Sequence, residues 1–370
     1  MSTKSQAVTT CDCDNVAVTI HWCGGQQSRL PHLWCRDNCD CGDCRIAQTS
    51  EKRFLLADVP VDLSPRQVKI ADDVLYIEWP DGHQTRYDGN YLRALHRDPD
   101  SLDRDWPEGY VPRSYDYAGF LTDDSVASSA IDEFLETGAI VLANAPTKPG
   151  TLEYLAPRLG PIREVLFDRI HDVRVDPRGY NIAHTPLPLP PHNDFASYTW
   201  PPSVQALHML VNETVGGRTI IVDGWDVLKQ LKIDEPAMFD VLSRTAVPFR
   251  EFDDNNETYA IEPIIRLGAG GEIAGFRFSN QLMQVIDPNL LHAVDFYRAY
   301  HELCCRISDH ETHVRFRLEG GQILVVAAHR VLHGREAFSG SGRRHLQDAY
   351  FEFDNIRNYR TVLRQREGFR

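Results

Sequence analysis

Long apolar runs are missing from this chain of 370 residues. No stretch approaches the roughly 20 residues that span a bilayer, and the first residues, MSTKSQAVTTCDCD, contain no apolar signal core. Basic residues are too few to balance the acidic ones, 39 against 53, so the formal net charge is -14. An acidic surface disfavours nucleic acid and anionic membranes as partners. We therefore expect a cytoplasmic protein that binds neither.

Two domains are predicted from the way the composition changes along the chain. Residues 1–100 contain most of the cysteines and three β-like segments, VAVTIHW, RFLLADVP and VKIADDVLYIEWPDG. Residues 98–112, rich in Asp, Pro and Arg, are typical of a linker. We therefore expect a small β domain over residues 1–100 and a larger domain over residues 112–370.

The larger domain combines many short strands with a few helices. Asp123 or Asp124 can cap a helix that runs to Thr137, and GAIVLANAP follows as a buried strand. Further helices are predicted near 225–244 and 288–308. Strands are predicted at 204–211, 217–224, 246–252, 258–267, 273–279, 313–319, 321–329 and 346–353. This pattern favours a mainly β fold with helices, a double-stranded β-helix or jelly roll, over a doubly wound sheet.

The first domain contains a cysteine motif that is typical of a structural metal site. Cys39, Cys41 and Cys44 fall within six residues, in CDCGDC. Three thiolates at this spacing can bind one ion, and a closed tetrahedral zinc site needs a fourth ligand. His83, in a turn between predicted strands, is the candidate that we prefer, and Cys35 is the alternative. Three more cysteines are expected to be free: Cys11, Cys13 and Cys23.

A second ligand pattern lies in the larger domain. His192 and Asp194 stand in PPHNDF, and His333 follows 139 positions later than Asp194 in RVLHGREAF. Two imidazoles and one carboxylate can occupy one face of Fe(II) and leave three positions open. Arg344 can bind the far carboxylate of a 2-oxo acid through two hydrogen bonds. His329 competes with His333 for the distal position.

These motifs resemble those of the γ-butyrobetaine dioxygenase branch of the taurine-dioxygenase-like oxygenases. LWCRDNCDCGDC with His83 is similar to the family's N-terminal zinc module. PPHNDF, VQALHMLVNE, GGRTIIVDGW, RVLHGREAF and RRHLQDAYFEFD are similar to its catalytic motifs, in the family's order. The resemblance covers nearly the whole chain, and it implies an Fe(II)- and 2-oxoglutarate-dependent dioxygenase that also consumes O2.

The resemblance implies a role for each matched residue. Zinc would be bound by Cys39, Cys41, Cys44 and His83. Iron would be bound by His192, Asp194 and His333. 2-Oxoglutarate would be bound by Arg344, Thr219, Leu207 and Asn181. Asn280 would contact the anionic end of the substrate, and Tyr350 would belong to an aromatic cage around a trimethylammonium group. The family also suggests a homodimer.

Aromatic side chains suit a trimethylammonium group because this cation has no N–H to donate. Candidates for such a cage are Phe167, Phe195, Tyr198, Trp200 and Tyr350. We prefer Phe195 and Tyr350, which are tied by spacing to an iron ligand and to Arg344. Each of these aromatic side chains can equally well be a core or rim residue.

The chain departs from the family pattern near the expected substrate site. Asn181-Ile-Ala-His184-Thr has a histidine in place of a cage tyrosine, and His171 falls near another aromatic position. A histidine can donate a hydrogen bond to an anion, which a phenyl ring cannot. This change slightly favours 2-(trimethylamino)ethylphosphonate over γ-butyrobetaine. His184 can instead be a core histidine bonded to a backbone carbonyl.

We therefore expect hydroxylation of an unactivated C–H bond in a small trimethylammonium zwitterion. Two alternatives remain open. The same chemistry can act on trimethyllysine or a sulfonate, and a degenerate jelly roll can serve as a binding protein without catalysis. A sulfonate without a quaternary ammonium has no need of an aromatic cage.

Overall fold

The computed structural model describes residues 7–95, 104–166, 168–176, 179, 181–253, 255–289, 292–339 and 342–366. Phe167, one of the predicted cage residues, lies outside the described residues. The chain divides into two compact units, Met1–Pro99 and Asp100–Arg370. Within the described ranges, no helix combines the length and apolar character that crossing a membrane requires.

The first unit contains two antiparallel three-stranded sheets, ordered β1-β2-β3 and β4-β5-β6. Its strands are β1 (Val8–Cys13), β2 (Ala17–Trp22), β3 (Gln27–Pro31), β4 (Gln67–Ala71), β5 (Val74–Glu78) and β6 (Gln84–Asp88), and its helices are α1 (His32–Asp37) and α2 (Gly89–Ala94). Alternate residues of β5, Leu75 and Ile77, are buried in a core that also contains Trp79. Period-two alternation therefore buries one face of this strand.

The strand predicted in RFLLADVP is wrong. This segment forms a short 3-10 turn at Leu56–Asp58, and Leu55 and Leu56 are exposed. The amides of Arg53 and Phe54 donate to the carbonyl of Cys44, at 2.8 and 3.3 Å. The segment is thus hydrogen-bonded to the cysteine loop instead of a sheet, a tertiary preference that residue pattern alone does not reveal.

The second unit alternates strands and helices. Its strands are β7 (Arg113–Asp116), β8 (Ala139–Ala143), β9 (His171–Arg174), β10 (Leu189–His192), β11 (Val204–Asn212), β12 (Val215–Gly216), β13 (Thr219–Asp223), β14 (Val247–Phe252), β15 (Glu257–Glu262), β16 (Ile265–Leu267), β17 (Ile273–Phe276), β18 (Val314–Phe316), β19 (Gln322–Ala327), β20 (Val331–Arg335), β21 (Phe338–Ser339) and β22 (Arg344–Phe351). Its helices are α3 (Tyr117–Thr122), α4 (Asp124–Thr137), α5 (Ala156–Leu159), α6 (Gly224–Asp234), α7 (Pro236–Arg244), α8 (Ala293–Ser308) and α9 (Phe353–Arg366).

Two sheets share the central core of this unit. One is ordered β7-β8-β19-β11-β22-β9 and the other β10-β20-β13-β18. Their pairings are antiparallel except that β7 and β8 are parallel. Leu207, Leu324 and Leu346 of the first sheet join Ile221 and Val331 of the second in one buried cluster. The inner faces of the two sheets therefore pack against each other.

Helices cover the outer faces of both sheets. Phe120 and Phe134, from α3 and α4, are buried with Ile140 and Val325 of the six-stranded sheet. A separate cluster packs residues of α6, α7 and α8 with Ile220 of the four-stranded sheet. This unit is therefore a mixed helix and strand fold whose two sheets are enclosed by helices.

Several predicted elements are confirmed, and two are divided. Helix α4 begins after Asp123, whose carboxylate accepts from the amides of Ser125 and Val126, as expected of an N-cap. The predicted helix at 225–244 is two helices, with Pro236 at the first turn of α7. The predicted strand at 258–267 is β15 and β16, separated around Pro263. Proline lacks the amide proton that a continuous helix or ladder needs.

Candidate active site

The cysteine loop of the first unit brings four ligand atoms together. The Nε2 atom of His83 lies 3.3, 3.7 and 3.5 Å from the Sγ atoms of Cys39, Cys41 and Cys44. The four atoms all lie within 4.8 Å of one another. Gly82, at φ 84°, makes the turn that directs His83 back to the loop. This donor set fits a closed tetrahedral zinc site.

Cys35, the alternative fourth ligand, lies apart from this group. It is fully buried, and its Sγ lies 3.8 Å from the carbonyl oxygen of Leu30. Burial raises the pKa of the Cys35 thiol to about 12, so a neutral side chain suits this position. The buried guanidinium of Arg36 donates to Cys44 Sγ at 3.1 Å. Burial raises the pKa of the Cys44 thiol to about 11, and the Arg36 cation limits that rise, which favours the thiolate form that binds metal.

The second predicted ligand group also converges. His192 ends β10 and pairs across the sheet with His333 of β20. The ring centroids of the two histidines are 4.5 Å apart. Asp194 Oδ1 lies 3.1 Å from His192 Nε2 and 3.9 Å from His333 Nε2. The structure thus gathers two imidazoles and a carboxylate that can share one ion.

The neighbours of His192 fix its orientation. Its Nδ1 lies 2.9 Å from the carbonyl oxygen of Pro190, which directs Nε2 towards Asp194. Asn193, between the two ligands, donates to the carbonyl of Ala328 at 2.5 Å and accepts from the amide of Phe278 at 2.8 Å. The asparagine of the His-Asn-Asp motif therefore anchors the loop, and it does not need to contact a ligand.

Asp194 is held through its other oxygen. Its Oδ2 accepts hydrogen bonds from Gln205 Nε2 at 2.6 Å and from the Tyr350 hydroxyl at 2.7 Å. Gln205 Nε2 and the Tyr350 hydroxyl also lie 3.3 and 3.2 Å from Asp348 Oδ2. This buried network leaves Oδ1 directed at the histidines, which is the arrangement that a ligating carboxylate requires.

Electrostatics favour the metal-binding forms of His333 and Asp194. Burial, together with the adjacent His192, lowers the pKa of His333 to about 4, so the ring is neutral at pH 7. Burial by itself raises the pKa of Asp194, but the His333 and His192 imidazoles outweigh it and hold the pKa below its usual range. A neutral imidazole and an ionised carboxylate are the species that bind Fe(II).

A cavity of about 140 Å³ opens beside this group. Both histidines and the aspartate line it, as do the four residues predicted to bind the cosubstrate: Arg344, Thr219, Leu207 and Asn181. Leu207 is on β11, Thr219 is on β13 and Arg344 begins β22. The two facing sheets thus deliver side chains that are far apart in sequence to one cavity.

Arg344 provides an anion-binding position in this cavity. Among the described residues, no side-chain acceptor is hydrogen-bonded to its guanidinium, and its buried Nε atom lacks a partner. Burial lowers the pKa of Arg344 to about 9, with Arg335 and Arg317 adding repulsion. A buried cation without a counter-charge is costly. A carboxylate bound in the cavity would offset this cost with a two-pronged contact.

Several predicted substrate contacts have other surroundings. His184 is buried, its Nδ1 lies 3.1 Å from the carbonyl oxygen of Arg174, and it does not line the cavity. Asn280 is exposed and accepts a hydrogen bond from the Tyr300 hydroxyl at 3.1 Å, although its neighbours Ser279 and Gln281 do line the cavity. The residue predicted from the sequence, Asn280, is therefore displaced by one position from the residues that line the cavity.

The predicted aromatic residues divide into two groups. Phe195 and Tyr350 line the cavity, with ring centroids 5.0 Å apart and an interplanar angle of 80°. Tyr198 packs on Phe195 at 4.8 Å, and its hydroxyl accepts from the amide of Leu166. Trp200 is 66% exposed and does not line the cavity. Of the predicted aromatic residues that the structure describes, Phe195 and Tyr350 are the ones placed to touch a ligand there.

Two other histidines occupy defined positions. His329, the competing distal ligand, has its Nε2 3.1 Å from the carbonyl oxygen of Pro201, and it is absent from the ligand group. His171 lines the cavity, and its Nδ1 lies 3.6 Å from Asp348 Oδ1. His171 can therefore present a polar edge to a ligand while it is paired with a carboxylate.

Sequence reasoning missed several residues of the cavity and its support. Gln205 and Asp348 precede Leu207 and Tyr350 by two positions on their strands. Residues two apart on a strand share a face, so the predicted contacts already implied the direction of both side chains. Glu251, on β14, lines the cavity as well, and it shares a strand face with buried Phe249.

Comparison with known families accounts for both units. Residues 103–350 match the family described as "Taurine catabolism dioxygenase TauD, TfdA family". Residues 10–93 match the family described as "Gamma-butyrobetaine hydroxylase-like, N-terminal". Both matches agree with the resemblance drawn from the sequence motifs.

Curated relatives span nearly the full length of the chain. A γ-butyrobetaine dioxygenase of Pseudomonas sp. (strain AK-1) is 34% identical over 94% of each chain. The human γ-butyrobetaine dioxygenase is 26% identical, again over 94% of each chain. A mitochondrial trimethyllysine dioxygenase of Rattus norvegicus is 29% identical over 90% of this chain and 83% of its own length.

Among solved structures, the non-heme iron oxygenase OrfP, in complex with Fe, succinate and a dihydroxyarginine, superposes with a TM-score of 0.50. The two sequences are 16% identical, and the superposition covers 68% of this chain and 87% of OrfP. At this identity the likeness shows a common fold.

Proposed function

The chain belongs to the TauD, TfdA family of dioxygenases, and from that premise we propose that it hydroxylates a small trimethylammonium zwitterion with Fe(II), 2-oxoglutarate and O2. One observation carries the proposal: a single cavity is lined by the two histidines and the aspartate, by the half-buried Arg344 and by the Phe195–Tyr350 pair. These three features are what an iron, an anionic cosubstrate and a quaternary ammonium each require.

His192, Asp194 and His333 would hold the iron through two imidazole Nε2 atoms and the Asp194 Oδ1 atom. Bound there with 2-oxoglutarate and O2, the metal supplies the oxidising power that inserts oxygen into an unreactive C–H bond. The protein keeps the three ligands in place through Pro190, Gln205 and Tyr350. Fixed ligands preserve the open coordination face that the chemistry uses.

Arg344 would bind the distal carboxylate of 2-oxoglutarate, and Thr219, Leu207 and Asn181 would line the rest of that site. Thr219 is 7% exposed and Leu207 is 7% exposed, so the cosubstrate would be largely shielded from water. An arginine in such a dry setting forms stronger charged hydrogen bonds than one at the surface. This orientation directs the 2-oxo acid end of the molecule at the iron ligands.

The trimethylammonium group would lie against the rings of Phe195 and Tyr350. Two aromatic faces exclude water and attract a cation that has no hydrogen bond to offer. Because both rings stand next to Asp194, this contact would hold a substrate C–H bond close to the metal ligands. Positioning of this kind is the main contribution that the protein makes to such a reaction.

γ-Butyrobetaine is the first substrate to test, followed by its phosphonate analogue and trimethyllysine. Histidines at positions 184 and 171 favoured the phosphonate in the sequence, and His184 does not line the cavity. His171 does line it and can donate to an anion. The curated relative at 34% identity carries the name γ-butyrobetaine dioxygenase.

The proposal is tested by measuring succinate formed from 2-oxoglutarate with each of these compounds, at equal concentrations of Fe(II) and O2. Stimulation by at least one trimethylammonium compound, with a hydroxylated product in equal amount, is the expected result. Stimulation by taurine alone would contradict the proposed substrate class. Absence of any 2-oxoglutarate-dependent absorption change in the anaerobic iron complex would instead favour a binding protein without catalysis.

The zinc ligands, the jelly-roll architecture, the homodimer and the cytoplasmic location belong to the same proposal. Cys39, Cys41, Cys44 and His83 would bind Zn(II) and stabilise the first unit. The inner faces of the two sheets of the second unit pack against each other, as in a jelly roll. Metal analysis and sedimentation of the purified protein test the zinc content and the dimer.

A further inference from the structure

An acidic side chain lies on the inward face of a strand beside the cavity. Strand β14 alternates, and Val247 and Phe249 are buried at 0% and 1% exposure. Glu251 is the next residue on the same face, and it lines the cavity. On the opposite face, Arg250 pairs with the exposed carboxylate of Glu257 at 2.8 Å. The strand thus directs one charged residue outward and the other inward.

The neighbouring strand fixes the direction in which Glu251 points. Its cross-strand partner on β15 is Thr258, and paired residues of antiparallel strands share a face. The Thr258 hydroxyl lies 2.7 Å from the hydroxyl of Ser197, in the segment that follows Asp194 and Phe195. Glu251 therefore faces the segment that supplies a proposed metal ligand, Asp194, and one ring of the aromatic pair, Phe195.

Glu251 forms no ion pair within the part of the chain that the structure describes, and no donor there is hydrogen-bonded to its carboxylate. Burial and the nearby Asp194 carboxylate raise the pKa of Glu251 to about 7, although His192 and His171 act to lower it. Placing a carboxylate at such a position is costly, and a cation bound in the cavity would offset that cost.

The cavity is therefore polarised. Arg344, the cation expected to bind the cosubstrate, lines it together with Glu251, a carboxylate with no ion pair among the described residues. The two aromatic rings contact one another and are linked to Asp194 by the Tyr350 hydroxyl. Two rings provide a smaller cage than the five aromatic residues considered from the sequence. An ionic contact would supply attraction that the missing rings cannot.

We infer that Glu251 is a specificity-determining residue whose carboxylate is the counter-charge for the substrate's trimethylammonium group. This inference rests on the proposed function, since it needs a cationic substrate in the cavity. It assigns the preference for a cation to an ionic contact in addition to the aromatic faces. A neutral side chain at this position should keep the shape of the site and lose part of the charge selectivity.

The test compares γ-butyrobetaine with 5,5-dimethylhexanoate, an isostere that keeps the carboxylate but has a neutral quaternary carbon in place of the cationic nitrogen. Wild type, Glu251→Gln and Glu257→Gln are each loaded with Fe(II) and 2-oxoglutarate in the absence of O2. The change in absorption of the metal complex then gives the dissociation constant of each compound for each protein. Glu257→Gln is the matched control because it removes a carboxylate from the same hairpin on its outward face.

In Glu251→Gln, we expect γ-butyrobetaine to bind on the order of tenfold more weakly, while the dissociation constant of the isostere without the cationic nitrogen changes less than about twofold. The half-saturation for 2-oxoglutarate should be unchanged, and Glu257→Gln should behave as wild type. Equal weakening of the binding of both compounds would show that Glu251 contributes to the shape of the site. Unchanged binding of γ-butyrobetaine would show that Glu251 does not take part in its recognition. Either result overturns the inference.

Failure of the inference is separable from failure of the proposed function. If wild type hydroxylates γ-butyrobetaine but Glu251→Gln keeps the full preference for the cation, only the inference is lost. If wild type neither binds nor oxidises any trimethylammonium compound, the proposed substrate class is wrong and the inference falls with it. Thermal unfolding of each variant checks that the isosteric amide leaves the fold intact.

Discussion

His192 and His333 are cross-strand neighbours, although 140 residues separate them in the chain. Their ring centroids are 4.5 Å apart because β10 and β20 pair antiparallel at this point. Asp194 completes the group from the loop that follows β10. The register of one sheet, and not the local sequence, therefore decides whether the metal site forms.

Removing either histidine should remove the metal. His333→Ala is expected to lower iron content to background and to abolish 2-oxoglutarate turnover, because two protein ligands rarely retain Fe(II). His329→Ala is the matched control, since this ring is bonded to the carbonyl of Pro201, outside the ligand group. Iron analysis and the anaerobic absorption of the 2-oxoglutarate complex measure the effect. Equal iron loss in both variants would contradict the assignment of His333.

Arg344→Ala should weaken cosubstrate binding far more than substrate binding. Loss of one partner of a buried, hydrogen-bonded charge pair costs at least about 2 kcal/mol, so the half-saturation for 2-oxoglutarate should rise about thirtyfold or more. Arg343→Ala is the control, because this neighbour is exposed and pairs with Glu213. Initial rates of succinate formation at varied 2-oxoglutarate concentration give the half-saturation for each variant. An unchanged half-saturation in Arg344→Ala would remove this residue from the site.

Tyr350 has two roles that one substitution can separate. Tyr350→Phe keeps the ring that faces Phe195 but removes the hydroxyl that donates to Asp194. Loss of an outer hydrogen bond to a metal ligand typically weakens metal binding about tenfold. We therefore expect weaker Fe(II) binding with an almost unchanged affinity for the substrate in the metal-saturated enzyme. A large loss of substrate affinity at saturating iron would show that the hydroxyl serves the cage instead.

Much of this cavity was predictable from the spacing of residues and from the family resemblance. The predicted metal ligands, Arg344 and the other residues predicted to bind the cosubstrate all line one cavity. Helix α4 was predictable as well, because Asp123 and Gly138 mark its two ends with local chemistry. Information of this kind lies within a few residues of the feature that it predicts.

The remaining features depend on long-range packing. Whether Ser279 or Asn280 faces the cavity depends on the path of an irregular segment after β17, and a shift of one residue changes the answer. The position of His184 depends on its contact with the carbonyl of Arg174, ten residues earlier. Glu251 was missed because an acidic residue in an amphipathic strand is usually exposed. Tertiary contacts override local preference at each of these positions.

Zinc removal should unfold the first unit. When a metal site forms only in the folded state, the free energy of metal binding adds to the stability of that state. Cys41→Ser is therefore expected to reduce zinc content and to abolish the thermal transition of this unit. Cys23→Ser, at an exposed cysteine outside the group, is the control. Full zinc retention in Cys41→Ser, measured by metal analysis, would argue that another side chain completes the site.

The Asp223–Arg330 pair should be the most costly ion pair to break near the active site. Its side chains are 6% and 1% exposed, and Arg330 lies three residues before His333. Asp223 Oδ1 also accepts from the amides of Trp225 and Asp226 at the start of α6. Asp223→Ala thus removes a helix cap and leaves a buried cation without its carboxylate.

We expect Asp223→Ala to lower the free energy of unfolding of the second unit by about 3–5 kcal/mol. Glu336→Gln breaks the Arg218–Glu336 pair, whose side chains are 53% and 30% exposed, and it should cost no more than about 1 kcal/mol because solvent screens that pair. Urea unfolding followed by tryptophan fluorescence measures both variants, and added salt should weaken only the surface pair. If the two substitutions cost the same, burial does not set the strength of these two ion pairs.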